Sequence, residues 1–285
     1  MALNVPTFFK RLGSSVVFVA IMLTGLLWNE WTFLALVCLI NFLCFKEFIR
    51  LMQKIDSESY WPKWIPEIIQ MAGFIWLFMI LLATGVLNDF SIIMHHCVYA
   101  FALIFIPVFM LAAILSKRTA WQACMQALFG LLYIVMPMTL LIILWRYHHL
   151  LPLFMILLIW VNDTMAYLVG SFIGRTPFSS ISPKKTWEGT IGAAILTIAA
   201  SIAIGHFYAP GNSNIKFDLP DFAFLGMIVS VAGPAGDLLK SKFKRLAGVK
   251  DYGNLMPGHG GALDRFDSLL LVTPFVFVYV VYFVL

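Results

Sequence analysis

The stretch Gly189-Thr-Ile-Gly-Ala-Ala-Ile-Leu-Thr-Ile-Ala-Ala-Ser-Ile-Ala-Ile-Gly-His-Phe-Tyr-Ala209 decides the fold class. It contains no aspartate, glutamate, lysine or arginine. About 20 apolar residues in an α-helix cross the ~30 Å hydrocarbon layer of a bilayer. The run is apolar on every side, so neither the alternating strand of a membrane barrel nor the half-polar helix of a soluble domain fits it. Comparable runs occupy 13–28, 31–45, 68–87, 91–115, 121–145, 151–173, 221–239 and 266–285. The prediction is an all-α, polytopic integral membrane protein with about nine transmembrane helices. The first two runs are short and are expected to form a tight helical hairpin turned at Asn29-Glu30.

Whole-chain composition agrees. Of 285 residues, 61% are hydrophobic and 12% charged, and mean hydropathy is +0.92. Soluble domains carry roughly 45–50% apolar and about 25% charged residues. A soluble enzyme, a disordered chain and a nucleic-acid binder are therefore excluded. The net charge of +5 reads as basic loops beside anionic lipid. Of the 19 Lys and Arg, all but Arg146 and Lys216 fall on one side when the runs are taken to alternate across the membrane. The positive-inside rule puts that side, with the N-terminus and the basic loops, in the cytoplasm. The expected location is a bacterial inner membrane. The run after Lys10-Arg11 lacks a small-x-small cleavage site and reads as a retained first span. Cys38, Cys44, Cys97 and Cys124 lie in apolar runs without zinc-ligand spacing. Segment 46–67, with its Lys, Trp and Tyr, reads as an interfacial anchor without chemistry. Residues 1–150 are expected to form a lipid-facing scaffold, and 151–285 a catalytic region with cytoplasmic loops 174–188 and 240–265.

Polar residues in such a chain are costly and draw attention. They concentrate in three places. Asn162-Asp163-Thr164 interrupts the sixth run; Asp163 reads either as a buried structural carboxylate or as a site residue facing a polar cavity. Ser182-Pro-Lys-Lys-Thr-Trp-Glu188-Gly189 precedes the seventh. Pro183 fits a helix start capped by Ser182, and Lys184 with Lys185 beside that start forms an anion site. Positive-inside lysines with a capping Glu188 explain the same residues equally well. The third place opens at Asp237, read as the end of the eighth span. A basic loop follows, through Lys244-Arg245, Lys250, Pro257-Gly-His259-Gly-Gly261 and Asp264-Arg265-Phe266-Asp267. The glycines admit close backbone approach to an anion, and His259 is read as a phosphate contact within them. Asp264 and Asp267 share a face at i, i+3. Carboxylates among Lys and Arg suit a divalent metal holding a polyphosphate.

The stretch Ser241-Lys-Phe-Lys-Arg-Leu-Ala-Gly-Val-Lys-Asp-Tyr-Gly-Asn-Leu-Met-Pro-Gly-His-Gly-Gly-Ala-Leu-Asp-Arg-Phe-Asp267 resembles the signature of the phosphatidate cytidylyltransferases, or CDP-diacylglycerol synthases. Every fixed position is filled; Met256 and Ala262 stand where larger branched or aromatic residues are usual. Ser182–Gly189 is similar to a second block. Asp163-Thr-Met-Ala-Tyr167 with Gly170 and Gly174 is similar to a third, in which Asn162 replaces the usual alanine. The motifs cover about 160–268.

The resemblance implies the reaction CTP + phosphatidate → CDP-diacylglycerol + pyrophosphate, with Mg²⁺ and room for a second cation, at the cytoplasmic membrane face. It implies a nine-span fold and often a homodimer. It carries the metal to Asp237 and Asp264, with Asp267 in support. Lys244, Arg245 and Lys250 would then screen the triphosphate. Ser182, Lys184 and Lys185 would bind the lipid phosphate or the far side of CTP, with Arg265 and His259 among the substrate contacts. Asp163 and Glu188 would orient these lysines or join the metal shell. A CTP-dependent lipid kinase is the nearest rival. A transporter is disfavoured because the polar residues gather at one membrane face without an internal repeat.

Overall fold

The computed structural model describes residues 5–55, 67, 70–71, 73–77, 125–126, 128–179, 181–208, 217–249 and 260–284. The run at 91–115, most of that at 68–87, and the candidates Lys250 and His259 lie outside them. The elements are α1 (Val5–Leu27), α2 (Glu30–Ile55), α3 (Leu128–Tyr147, π-helical over Leu131–Val135) and α4 (Leu151–Ile173). Two strands follow, β1 (Pro177–Ser179) and β2 (Ser182–Thr186). The chain then forms α5 (Trp187–Tyr208), α6 (Leu219–Leu246) and α7 (Leu263–Val284, π-helical from Val280). Among the described residues, the six helices α2 to α7 are long and apolar enough to span a membrane. The helical membrane architecture is as expected, with one addition: β1 and β2 pair antiparallel, Pro177 opposite Thr186 and Ser179 opposite Ser182.

The chain forms two compact units, one of residues 1–146 and 246–264, the other of 147–245 and 265–285. In the first, α1 and α2 turn at Asn29, as predicted. Asn29 Oδ1 accepts the Thr32 N–H at 2.8 Å while Thr32 Oγ1 accepts the Asn29 N–H at 3.1 Å, a reciprocal cap on α2. The core holds Phe33, Phe45, Phe48, Ile134, Met138 and Leu141. Within it Trp76 Nε1 donates to Thr139 Oγ1 at 2.7 Å.

Segment 46–55 departs from expectation. It continues α2 rather than lying along the surface, and Glu47, Phe48, Ile49, Leu51 and Met52 are buried. The cause is periodic: Lys46, Arg50 and Lys54 recur every fourth residue and share one exposed stripe, leaving the other faces to pack.

In the second unit, α5 turns small residues inward: Gly189, Ala193, Thr197, Ser201 and Gly205 are buried. Small residues let membrane helices approach closely. Thr197 Oγ1 donates to Oδ1 of Asn162 on α4 at 3.3 Å, and Ser201 Oγ donates to the Phe222 carbonyl of α6 at 2.5 Å. Ser268 Oγ on α7 donates to the Gly233 carbonyl of α6 at 3.1 Å. Helix α6 does not stop near Asp237 but continues to Leu246. Leu238, Leu239, Lys240, Lys242, Lys244 and Arg245 are strong helix formers and carry it about two turns further.

Candidate functional site

Four elements of the second unit bring charge together. Asp237 of α6 pairs through both carboxylate oxygens, with Lys185 Nζ from β2 and with Lys240 Nζ one turn along its own helix. Lys240 Nζ also reaches Oδ2 of Asp267 on α7 at 2.9 Å. The Asp267 side chain is only 5% exposed and that of Lys240 15%, so this ammonium sits between two largely enclosed carboxylates. Gly236 makes the approach possible: a Cβ there would lie 2.7 Å from the Asp267 carbonyl oxygen. Asp163 of α4, exposed at the surface, interacts electrostatically with Asp237, Lys185, Lys240 and Arg265.

Three carboxylates and three cations thus meet in one unit, and five of the six were named from the sequence. Lys240 was missed, although its i, i+3 spacing from Asp237 is visible once both are placed on one helix. Lys244 and Arg245 lie in the last turn of that helix, where cations meet the negative end of the helix dipole, and not in a loop.

The 182–189 block also differs from expectation. Ser182–Thr186 is a strand, and the helix starts at Trp187. Successive side chains of a strand point to opposite faces. Lys185 turns to Asp237, while Lys184 is exposed. The helix cap is Thr186, whose Oγ1 accepts the Gly189 N–H at 3.2 Å, rather than Ser182. The Glu188 carboxylate accepts the Arg175 and Thr176 N–H groups at 3.1 Å and the Thr176 hydroxyl at 2.8 Å. It thereby fastens the segment leaving α4 to the start of α5. Trp187 packs edge-on against Phe178, ring centroids 4.6 Å apart.

The first unit holds Asp264, in the first turn of α7. Its Oδ2 accepts the Gly261 N–H at 3.1 Å. The next two N–H groups, of Ala262 and Leu263, donate to Glu47 of α2 at 3.0 and 2.9 Å. No sequence pattern pointed to Glu47, whose partners lie more than 200 positions away in the chain.

As to metal, no group of three or more His, Cys, Asp or Glu is disposed to cage an ion among the described residues. Magnesium is commonly held by one or two carboxylates, with waters and substrate phosphate oxygens completing the shell. Asp237, with Asp267 sharing its lysine, supplies hard oxygen donors of that kind.

Residues 9–283 match the cytidylyltransferase family. The chain is 50% identical over 109 residues to a chloroplastic phosphatidate cytidylyltransferase 4 of Arabidopsis thaliana, covering 38% of this chain and 27% of that protein. It is 42% identical over 125 residues to a phosphatidate cytidylyltransferase of Staphylococcus aureus, covering 43% and 45%. It is 42% identical over 123 residues to one of Synechocystis, covering 43% and 40%. The matched stretch thus spans about a quarter to a half of the length of these curated relatives.

Proposed function

Since the chain belongs to the cytidylyltransferase family, we propose that it transfers the cytidylyl group of CTP to phosphatidate, giving CDP-diacylglycerol and pyrophosphate. The observation that carries this reading is the joining of Asp237, Asp267, Lys185 and Lys240 from three elements of one unit.

The lipid phosphate attacks the α-phosphorus of CTP in line, the new P–O bond forms, and the bond to the β-phosphate oxygen breaks. The attacking phosphate monoester is already anionic near neutral pH, with a second pKa of about 6, so no strong base is required. Positioning and charge neutralisation carry such a reaction. Lys185 and Lys240, already drawn to the acids, meet phosphate oxygens; Asp163 and Arg265 border them. Ser182 and Lys184 contact the lipid phosphate or the outer phosphates of CTP. Lys244 and Arg245, at the end of α6, and Lys250 and His259 screen the triphosphate. Glu188 keeps the hairpin at the start of α5. Magnesium, when bound, supplies divalent charge to the triphosphate; Asp237 would hold it, with Asp267 behind. The resemblance adds Asp264 as a ligand, on the strength of the motif alone. The acyl chains stay in the bilayer, and the basic ends of the helices face the cytoplasm. A homodimer is part of the same reading.

The test uses purified protein in detergent with phosphatidate, Mg²⁺ and CTP labelled at the α or the γ phosphorus. Label entering the organic phase from α-labelled CTP alone is the expected result. Entry from γ-labelled CTP with an alcohol acceptor would make the protein a lipid kinase.

A further inference from the structure

We propose that Glu47 is a positioning residue for this transfer: its buried carboxylate fixes the first turn of α7 and, through that turn, the carboxyl of Asp264. The inference rests on the transferase reading and on Asp264 belonging to its site. Glu47 is 7% exposed. It receives the Ala262 and Leu263 N–H groups, 215 and 216 residues away in the chain. Asp264 takes the N–H just before them, from Gly261. Three consecutive backbone donors are thus shared by two carboxylates, which fixes both acids to one turn.

The two glycines that precede this turn each make room for one of these acids. Gly260 has φ of +86°, a conformation that side chains disfavour, and a Cβ on it would lie 2.8 Å from Asp264 Oδ2. A Cβ on Gly261 would fall onto the Glu47 carboxylate.

A simple helix cap does not account for this arrangement. Caps ordinarily come from a Ser, Thr, Asp or Asn adjacent in sequence. Here the residue before the helix is Ala262, which has no acceptor. Burying a carboxylate brought from another helix is costly unless it is fully bonded. That cost is offset where the helix start must be held in one place, and negative charge at a helix N-terminus is itself favourable.

The experiment compares the wild type with Glu47→Gln, Gly261→Ala and, as a control at the far end of the same helix, Glu30→Gln. Each full-length protein is assayed for kcat, for KM of CTP, for thermal unfolding, and for hydrogen exchange over 260–264. Glutamine keeps the shape but loses the charge, and only its one oxygen can accept the paired N–H groups. The expected result is a folded Glu47→Gln protein with faster exchange at 262–263 and kcat lower by about tenfold to a hundredfold, the scale of a displaced reacting group. KM for CTP should change far less. Gly261→Ala should fall in the same direction with Glu47 intact, which keeps the test usable if Glu47→Gln does not fold. Glu30→Gln should leave kcat and exchange at 262–263 unchanged. Faster exchange with unaltered kcat in both variants would reduce Glu47 to a structural cap and overturn the proposal. Wild-type protein unable to move label from α-labelled CTP would overturn it too, but through the transferase reading, and that failure is recognisable because the wild type itself is silent.

Discussion

Lys240 holds two carboxylates from different helices with a single ammonium group. Removing one partner of an enclosed ion pair leaves the others unpaired and costs roughly 3–5 kcal/mol. Lys240→Met should therefore lower thermal stability by about that amount, read by unfolding in detergent, and abolish turnover. Asp237→Asn keeps the shape and removes the charge; it should cut kcat on the order of a hundredfold or more and also lower the unfolding temperature, because Lys185 and Lys240 each lose a partner. His148, between α3 and α4, is a different case. Burial, reinforced by the neighbouring His149, pulls its pKa below the ordinary value of 6.5. The folded state thus favours neutral imidazole. Its stability is fully present above that value and declines as pH falls toward the lowered one. His148→Phe should flatten the acid side of the curve of unfolding temperature against pH; an unchanged slope below pH 6.5 would remove the assignment. Asp237, Asp267 and Lys185 were legible in the sequence because charge in an apolar chain stands out. Glu47 was not, since its partners are joined to it only by folding.

Helices are the level at which sequence speaks most clearly here. The runs at 151–173, 189–209 and 221–239 each became a helix because twenty apolar residues have no cheaper arrangement in lipid. Their ends were harder to read. Hydropathy marks where a helix leaves the apolar layer, not where its hydrogen bonds stop, so α2 and α6 ran past their predicted limits into charged sequence. The block at 182–189 misled for a local reason: Pro183 is as acceptable in an edge strand as at a helix start. Thr186, the true cap, gives a test at this level. Thr186→Val keeps the shape and loses the bond to the Gly189 N–H; it should destabilise by about 1 kcal/mol in thermal unfolding. Turnover should fall further than stability, since β2 also carries Lys185.

The imbalance of basic residues predicts an orientation for the molecule as a whole. His149, in the short link before α4, and Lys242, near the end of α6, should lie on opposite sides of the membrane. With the four native cysteines replaced, a membrane-impermeant maleimide applied to intact cells should label His149→Cys and spare Lys242→Cys. Equal labelling would overturn the orientation. Composition made the helical membrane class legible at once. The division into two interleaved units was not legible, because it depends on which distant stretches pack together.

That interleaving bears on how the protein is made. The first unit includes residues 246–264, so it cannot be completed while only the N-terminal helices have left the ribosome. Until the far end of the chain arrives, Glu47 waits in an apolar setting without the two N–H groups that later neutralise its cost. A nascent chain halted before residue 262 would lack both donors and leave that acid unsatisfied.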